Sequence, residues 1–187
     1  MTSRASLVLV ASALMVATPA FGSYVLELDV GELTKRSDRV VRAHVVERES
    51  RWDEARERIH TYTTLELADS LKGEGEPTIV VRQLGGEVDG TGSFVGGDAH
   101  FEVGEEVVVF LRRNPAGESY FHVIGLAQGK FRVVRSGERS LAVRDLSELS
   151  LMRPLEGRFV PLPEAGAPES IALDELERAI DAAARDR

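Results

Sequence analysis

Five consecutive apolar residues, from Val107 to Leu111, constrain the fold of this chain more than any other feature. An uninterrupted apolar run of strand length predicts a central β-strand that is buried on both faces. The chain has no cysteine, so no disulfide bond can replace the hydrophobic core around such a strand. Hydrophobic residues make up 43% of the 187-residue chain, which is sufficient for the core of one compact domain.

Several other segments have the composition or the periodicity of β-strands. Residues 59–71 alternate between apolar and polar side chains, which predicts a strand with one buried face. Residues 40–49 carry valines on both parities, which predicts burial on both faces or a bulged strand. The sequence Asn114-Pro115-Ala116-Gly117 has the spacing of a type I turn. The complete set of predicted strands is 40–49, 59–71, 78–84, 106–112, 120–126, 130–134 and 140–144.

Two helices and two irregular segments complete the predicted elements. A short N-terminal helix is expected to bury Leu33, with Leu28 buried just before it, and residues 173–184 repeat apolar side chains at helical spacing. The segment Gly85–Gly97 holds six of the 17 glycines, which predicts an exposed, mobile loop without regular structure. Residues 145–170 hold four of the seven prolines, which predicts an extended, irregular stretch.

Taken together, these elements predict a mainly β fold. The expected form is a small antiparallel OB-like β-barrel with a short N-terminal helix and a C-terminal helix. A β-sandwich is the alternative. The predicted division of the chain is a signal peptide (1–22), an OB-like barrel domain (23–145), a Pro-rich irregular segment (146–170) and the C-terminal helix (171–187).

The first 22 residues have the pattern of a secretory signal peptide. A positive charge at Arg4 precedes an apolar run from Leu7 to Ala17, which is shorter than a comfortable membrane span. Small residues after this run predict cleavage before Ser23, and cleavage before Phe21 is the alternative. The sequence therefore predicts a secreted or periplasmic protein.

The charge of the chain restricts its possible partners. The formal net charge is −8 at pH 7, and removal of Arg4 with the signal peptide makes it more negative. Nucleic acids and anionic lipids require a positive surface, so neither is an expected partner. No second apolar segment reaches membrane-spanning length, so we predict no membrane anchor after signal cleavage.

Five short motifs follow one another in a characteristic order. They are SDRVV (37–41), LKG (71–73), FEVGE (101–105), VFLR (109–112) and GLAQGKF (125–131). This order resembles a group of uncharacterised exported bacterial proteins, whose layout is similar to the netrin-like modules of the tissue inhibitors of metalloproteinases. The resemblance covers roughly residues 32–145 and implies an OB-fold barrel. Those inhibitors coordinate a protease metal through an N-terminal cysteine, which this chain lacks, so their mechanism does not carry over.

Sequence patterns of catalytic sites are missing or incomplete. The segment Gly90-Thr91-Gly92 resembles a phosphate loop but is not followed by Gly-Lys-Ser/Thr, and Ser93 lacks the spacing of a nucleophile elbow. The chain has four histidines, and their spacing does not match that of zinc ligands. The four are His44, His60, His100 and His122. We therefore predict no catalytic residue, no metal ligand and no cofactor.

The predicted binding residues lie in and beside the glycine-rich loop. Four acidic residues place carboxylates near a flexible backbone, an arrangement that calcium can use: Glu87, Asp89, Asp98 and Glu102. Phe94 and Val95 lie between glycines and form an apolar tip. This tip either enters a partner or folds back onto the barrel, and the sequence leaves both possibilities open.

These observations lead to two hypotheses about function. The first is an exported, non-enzymatic binding module whose partner is an extracellular or periplasmic protein, because recognition residues concentrate on loops of rigid scaffolds. A protease-inhibitor-like role is a narrower form of this hypothesis and follows only from the resemblance. The alternative is a metal-dependent hydrolase that uses the acidic residues of the glycine-rich loop.

Overall fold

The computed structural model describes residues 23–137, 139–162 and 168–186. The predicted signal peptide lies outside the described residues, and so do residues 163–167 of the Pro-rich segment. Within the described ranges, no helix combines the length and the apolar character needed to cross a bilayer. The prediction of a mainly β fold with a short N-terminal helix and a C-terminal helix is confirmed.

The elements follow one another in an order that is close to the predicted one. In the described part of the chain they are β1 (Ser23–Leu26), α1 (Val30–Arg36), β2 (Arg39–Trp52), β3 (Ile59–Lys72), β4 (Thr78–Leu84), β5 (Gly86–Val88), β6 (Thr91–Ser93), β7 (Glu106–Arg113), β8 (Tyr120–Val123), β9 (Lys130–Ser136), β10 (Arg139–Arg144), β11 (Leu149–Leu155), β12 (Arg158–Pro161), β13 (Glu169–Ala172) and α2 (Leu173–Arg185). A short 3₁₀ turn, Leu126–Gly129, joins β8 to β9.

Five strands form a partial ring. β2 pairs with β3 on one side and with β7 on the other, β3 pairs with β4, and β8 pairs with both β4 and β7. The β4–β8 pairing is parallel and joins only Val80 to Tyr120 and Val81 to Phe121. The other pairings of the ring are antiparallel, as predicted. Beyond the ring, β7 also pairs with β9, and the sheet continues through β10 to β13.

β7 separates two hydrophobic cores. Successive side chains of a strand point to opposite faces, so its apolar run serves both. Val107, Val109 and Leu111 pack in the core inside the ring. Val108 and Phe110 pack in a second core with the two helices and β9. All five side chains are fully buried, which confirms the predicted central strand.

The two helices cover the second core. Leu173, Leu176 and Ile180 form the buried face of α2, at the helical spacing that the sequence predicted. Leu33 of α1 packs in the same core. α1 begins after Asp29, whose side chain accepts a hydrogen bond from the backbone N–H of Glu32 at 2.7 Å and so caps the helix.

The glycine-rich segment is regular, so the prediction of an irregular loop at Gly85–Gly97 is wrong for its first half. β5 and β6 pair as a two-stranded hairpin around Asp89 and Gly90. These two residues have φ angles of 51° and 76°, and a two-residue type I′ turn requires positive φ at both positions. An Asp-Gly pair is a strong hairpin signal, and here it outweighs the overall glycine content.

The Pro-rich segment also contains strands, which corrects the prediction that residues 146–170 are irregular. β11 pairs with β1 in parallel and with β12 in antiparallel orientation, and β13 pairs with β10. β1 pairs only with residues 149–152 of β11, so Pro154 lies beyond that pairing. Pro161 lies in β12, at the edge of its three-stranded sheet. Proline is tolerated at such positions because no ladder hydrogen bond is needed there.

The second core yields a first prediction. We expect Phe110→Ala to lower the free energy of unfolding by about 3–5 kcal/mol, because it leaves a cavity in a packed core. The Phe110 ring is fully buried and lies 6.0 Å from the ring of Phe131. Equilibrium urea unfolding measures this loss. Phe159 is 61% exposed, so Phe159→Ala is the matched control and should change stability by about 0.5 kcal/mol or less. Equal losses in the two variants would contradict the core assignment.

Candidate binding site

The β5–β6 hairpin and the residues after it carry the predicted binding side chains. Glu87 on β5 and Asp89 at the turn are exposed. Phe94, directly after β6, is 78% exposed, whereas Val95 and Asp98 are half-buried. Phe94 therefore does not fold back as a lid, and only Val95 of the predicted apolar tip is partly covered.

A cleft of about 1050 Å³ lies beside the hairpin, and we call it the hairpin cleft. Glu87 and Phe94 lie on its hairpin side, and Arg48 of β2 also lines it. Lys130 and Arg132 of β9 contribute further positive charges to its lining. The cleft thus combines an exposed aromatic ring with charges of both signs.

The backbone on either side of Phe94 is held in place. The Ser23 hydroxyl donates to the carbonyl oxygen of Gly96 at 2.7 Å, and the Gly97 N–H donates to the Glu148 carboxylate at 3.0 Å. On the other side, Gly86 has a φ of 130° and packs so closely that an added Cβ would lie 2.3 Å from the Ser50 hydroxyl. The hairpin is thereby fixed against β2, and Phe94 is exposed on an ordered segment.

The predicted acidic residues do not converge on one point. Asp98 accepts a hydrogen bond from the Ala99 N–H at 2.8 Å, and burial raises the pKa of its carboxyl group. Glu87 and Asp89 lie on the exposed hairpin. Among the residues that the structure describes, no group of three or more histidine and acidic side chains could hold a metal ion. No observation therefore favours the metal-dependent hydrolase over the binding module.

A nearly buried ion pair forms part of the cleft lining. Lys130 Nζ lies 2.8 Å from the Glu105 carboxylate and donates to the carbonyl oxygen of His100 at 2.6 Å. Burial lowers the pKa of Lys130, and the hydrogen bond that Lys130 donates to the Glu105 carboxylate raises it. This pair joins β9 to the segment before β7 and so fixes part of the lining of the hairpin cleft.

A second, smaller pocket adjoins the hairpin cleft, and the sequence analysis missed it. This polar pocket has a volume of about 400 Å³ and shares Gln83, Leu84 and Asp98 with the cleft. Its remaining lining is mostly polar or aromatic and comes from β3, β4, β8 and the turns on either side of β8. It includes His60, Arg82, Asn114, Tyr120 and His122. No sequence motif joins these residues, because the pairing of β4 with β8 brings them together.

Arg82 and His60 form the centre of the polar pocket. Arg82 Nη2 lies 2.8 Å from His60 Nε2. An arginine can only donate, so Nε2 must be the unprotonated acceptor in this contact. Burial lowers the pKa of His60, and the charge of Arg82 lowers it further. A hydrogen bond with the Gln83 backbone and the charge of Asp53 raise the pKa of His60, whereas the charge of Arg58 lowers it.

Three of the sequence motifs contain residues that hold backbone segments together. These motifs are 71–73, 101–105 and 125–131. Buried Gln128 accepts from the Leu28 N–H at 2.8 Å and donates to the Leu26 carbonyl at 3.0 Å, which ties the N-terminal segment to the sheet. Lys72 donates to two carbonyl oxygens at the C-terminal end of α1. Glu105 holds Lys130, as described above. These motif residues therefore stabilise the fold.

Comparison with known proteins adds no further constraint on this site. No protein-family model, curated protein or solved structure matches the chain. The resemblance to netrin-like modules therefore stays a prediction that rests on the motifs.

The His60 contact predicts a pH dependence of stability. The pKa of His60 is lowered in the folded state, so the fold favours neutral His60. The stabilisation contributed by His60 is complete above its unfolded-state pKa of about 6.5. It is lost as the pH falls through the lower pKa that His60 has in the folded state. We expect acidification from about pH 7.5 to 5.5 to lower the melting temperature more in the native chain than in His60→Gln. His44 is exposed, so His44→Gln is the control and should respond like the native chain. An equal response of all three proteins would contradict the prediction.

The Lys130–Glu105 pair predicts a non-additive effect on stability. Glu105→Gln should lower the free energy of unfolding by about 3 kcal/mol, because it leaves the ammonium group of Lys130 nearly buried without a negative partner. The double variant Glu105→Leu/Lys130→Met should lose less than this single variant, because no buried charge remains. Glu76→Gln is the control, since Glu76 is exposed in the turn between β3 and β4. Chemical unfolding of the four proteins tests the prediction, which fails if the double variant loses the most.

Proposed function

We propose that this chain is an exported, non-enzymatic binding protein whose partner is an extracellular or periplasmic protein. The partner contacts Phe94 and enters the hairpin cleft. The observation that carries this proposal is the exposure of Phe94, at 78%, on a segment whose backbone is held on both sides. Aromatic residues that are presented in a fixed position supply much of the free energy of protein binding, because they lose little conformational entropy on contact.

The scaffold for this site is, in our proposal, an OB-type barrel. The pairings run in the order β7–β2–β3–β4–β8 and return to β7, which fits a partly open five-stranded barrel. The short parallel pairing between β4 and β8 accounts for the partly open form. The order of the motifs along the chain supports the same identification.

The composition of the hairpin cleft favours a protein partner over a nucleic acid. OB barrels that bind single strands do so through basic grooves with stacking aromatic residues. Here Glu87, Glu105 and Glu148 lie among the basic residues of the cleft lining. Charges of both signs around an apolar residue can match a complementary pattern on another protein, which gives specificity.

Export is part of the proposal and is supported by the signal-peptide pattern of residues 1–22. In the proposal the signal peptide is cleaved before Ser23, so the mature protein keeps the Ser23 hydroxyl that holds Gly96. The mature chain is then secreted or periplasmic.

Inhibition of an extracellular protease is the narrower form of the proposal. Phe94 would be the residue that enters the protease, because Val95 is already half-buried. Metal coordination through a cysteine is impossible, since the chain has none. Loss of inhibition in Phe94→Ala would support this form.

The proposed function predicts a strong effect of Phe94. We expect Phe94→Ala to weaken binding of the partner by about tenfold or more, which is the usual effect of losing an aromatic hot spot. The mature chain is immobilised, the exported fraction of the same organism is passed over it, and the captured partner is purified for titration calorimetry against each variant.

Phe159→Ala is the matched control for this measurement. Phe159 is also an exposed phenylalanine, but it lies on β12 and does not line the hairpin cleft. The control should bind like the native chain, and both variants should keep the native melting temperature. Native affinity in Phe94→Ala would refute the proposed site.

A further inference from the structure

One carboxylate of the chain lies against three hydrogen-bond donors at the polar pocket. Glu118 Oε2 accepts from Asn114 Nδ2 at 2.6 Å and from the hydroxyl of Tyr120. Arg82 Nη1 lies 3.8 Å from the same oxygen. We call Arg82, Asn114 and Tyr120 the carboxylate cradle, because their donors converge on a single oxygen.

Arg82 and Tyr120 of the cradle belong to the ordered sheet, whereas Asn114 and the occupant Glu118 lie in the turn between β7 and β8. Arg82 is on β4 and Tyr120 on β8, and Asn114 is only 8% exposed. Glu118 lies between β7 and β8, and its side chain is 55% exposed. An exposed ion pair contributes little to stability, so release of Glu118 into water costs little.

The two donors on the sheet, Arg82 and Tyr120, are fixed before any ligand arrives. Arg82 is held by His60 Nε2 at 2.8 Å, it donates to the Tyr120 hydroxyl, and its guanidinium group lies 4.7 Å from the centre of the Tyr120 ring. The Tyr120 ring also meets the ring of His122 edge-on, at 5.4 Å between centroids. Donors that are already in position lose little entropy when a ligand binds.

Space for a ligand lies directly beside the cradle. The polar pocket of about 400 Å³ is lined by all three cradle residues, together with His60 and Leu84. Glu118 does not line this pocket. A small organic acid could therefore place its carboxylate against the cradle and the rest of its structure in the pocket, once Glu118 swings out.

We propose that the carboxylate cradle is a binding site for a small carboxylic acid and that Glu118 is an internal occupant that such a ligand displaces. Arg82 supplies the charge, and Asn114 and Tyr120 supply the directional hydrogen bonds, which together favour a carboxylate. This site is separate from Phe94 and does not depend on the proposed protein partner.

The first test measures the competition by Glu118. Succinate is titrated into the ¹⁵N-labelled mature chain, and the side-chain amide signal of Asn114 is followed by NMR. Glu118→Ala removes the internal occupant and should bind succinate about tenfold more tightly than the native chain, because an occupied site lowers the apparent affinity. Glu76→Ala is the control, since Glu76 is exposed in the turn between β3 and β4. Equal affinities in Glu118→Ala and the native chain would overturn the role of Glu118.

The second test removes the donors. Arg82→Met, made in the Glu118→Ala background, should abolish saturable binding, and Tyr120→Phe should weaken it while removing only one hydroxyl group. Arg135→Met is the control for the loss of a positive charge, because Arg135 is exposed on β9. If Arg82→Met fails to fold, Tyr120→Phe still decides the question. Binding that survives Tyr120→Phe unchanged, or the absence of saturable binding in Glu118→Ala, would overturn the site.

A third titration distinguishes a free acid from a carboxylate of another protein. The probe is a short peptide with blocked ends and one central glutamate. Saturation by succinate but not by the peptide supports the small-molecule assignment. Saturation by the peptide alone would overturn that assignment, because the carboxylate would then come from a protein side chain.

Discussion

The fold depends on the way in which β7 shares its hydrogen bonds. One edge of β7 pairs with β2. Its other edge is divided, because residues 111–113 pair with β8 and residues 107–109 pair with β9. The pairing of residues 111–113 with β8 closes the ring, and the pairing of residues 107–109 with β9 extends the sheet. This division explains why the ring is partial. Both faces of β7 lie in hydrophobic cores, so the centre of the strand carries no polar residue.

The two candidate sites follow from that arrangement. Closure through β8 places Tyr120 next to β4, where Arg82 follows the two residues that pair with β8. The cradle therefore exists only when the ring is closed. Extension through β9 brings Lys130 into the lining of the hairpin cleft, together with the exposed Phe94. A single strand thus positions two sites of different character, whose pockets share Gln83, Leu84 and Asp98.

The sequence predicted the elements whose signals are local. The apolar run of β7, the alternation of β3 and the turn at Asn114 depend on neighbouring residues, and all three are confirmed. The β5–β6 hairpin contradicts the irregular loop that the glycine content of this segment predicts, and its Asp-Gly turn is the local signal for it. The polar pocket could not be predicted, because Arg82 and Tyr120 are far apart in sequence and meet only through the β4–β8 pairing.

The motif residues mainly build the scaffold, although Glu105 and Lys130 also line the hairpin cleft, whereas the two exposed site residues lie outside the motifs. Gln128, Lys72 and Glu105 belong to the motifs and hold backbone segments together. Phe94 and Glu118 lie outside every motif and are exposed. A chain that kept the motifs would keep the contacts that build the scaffold, even if its exposed residues changed. Likeness in those motifs is therefore evidence about the fold, whereas function has to be argued from the side chains that the scaffold presents.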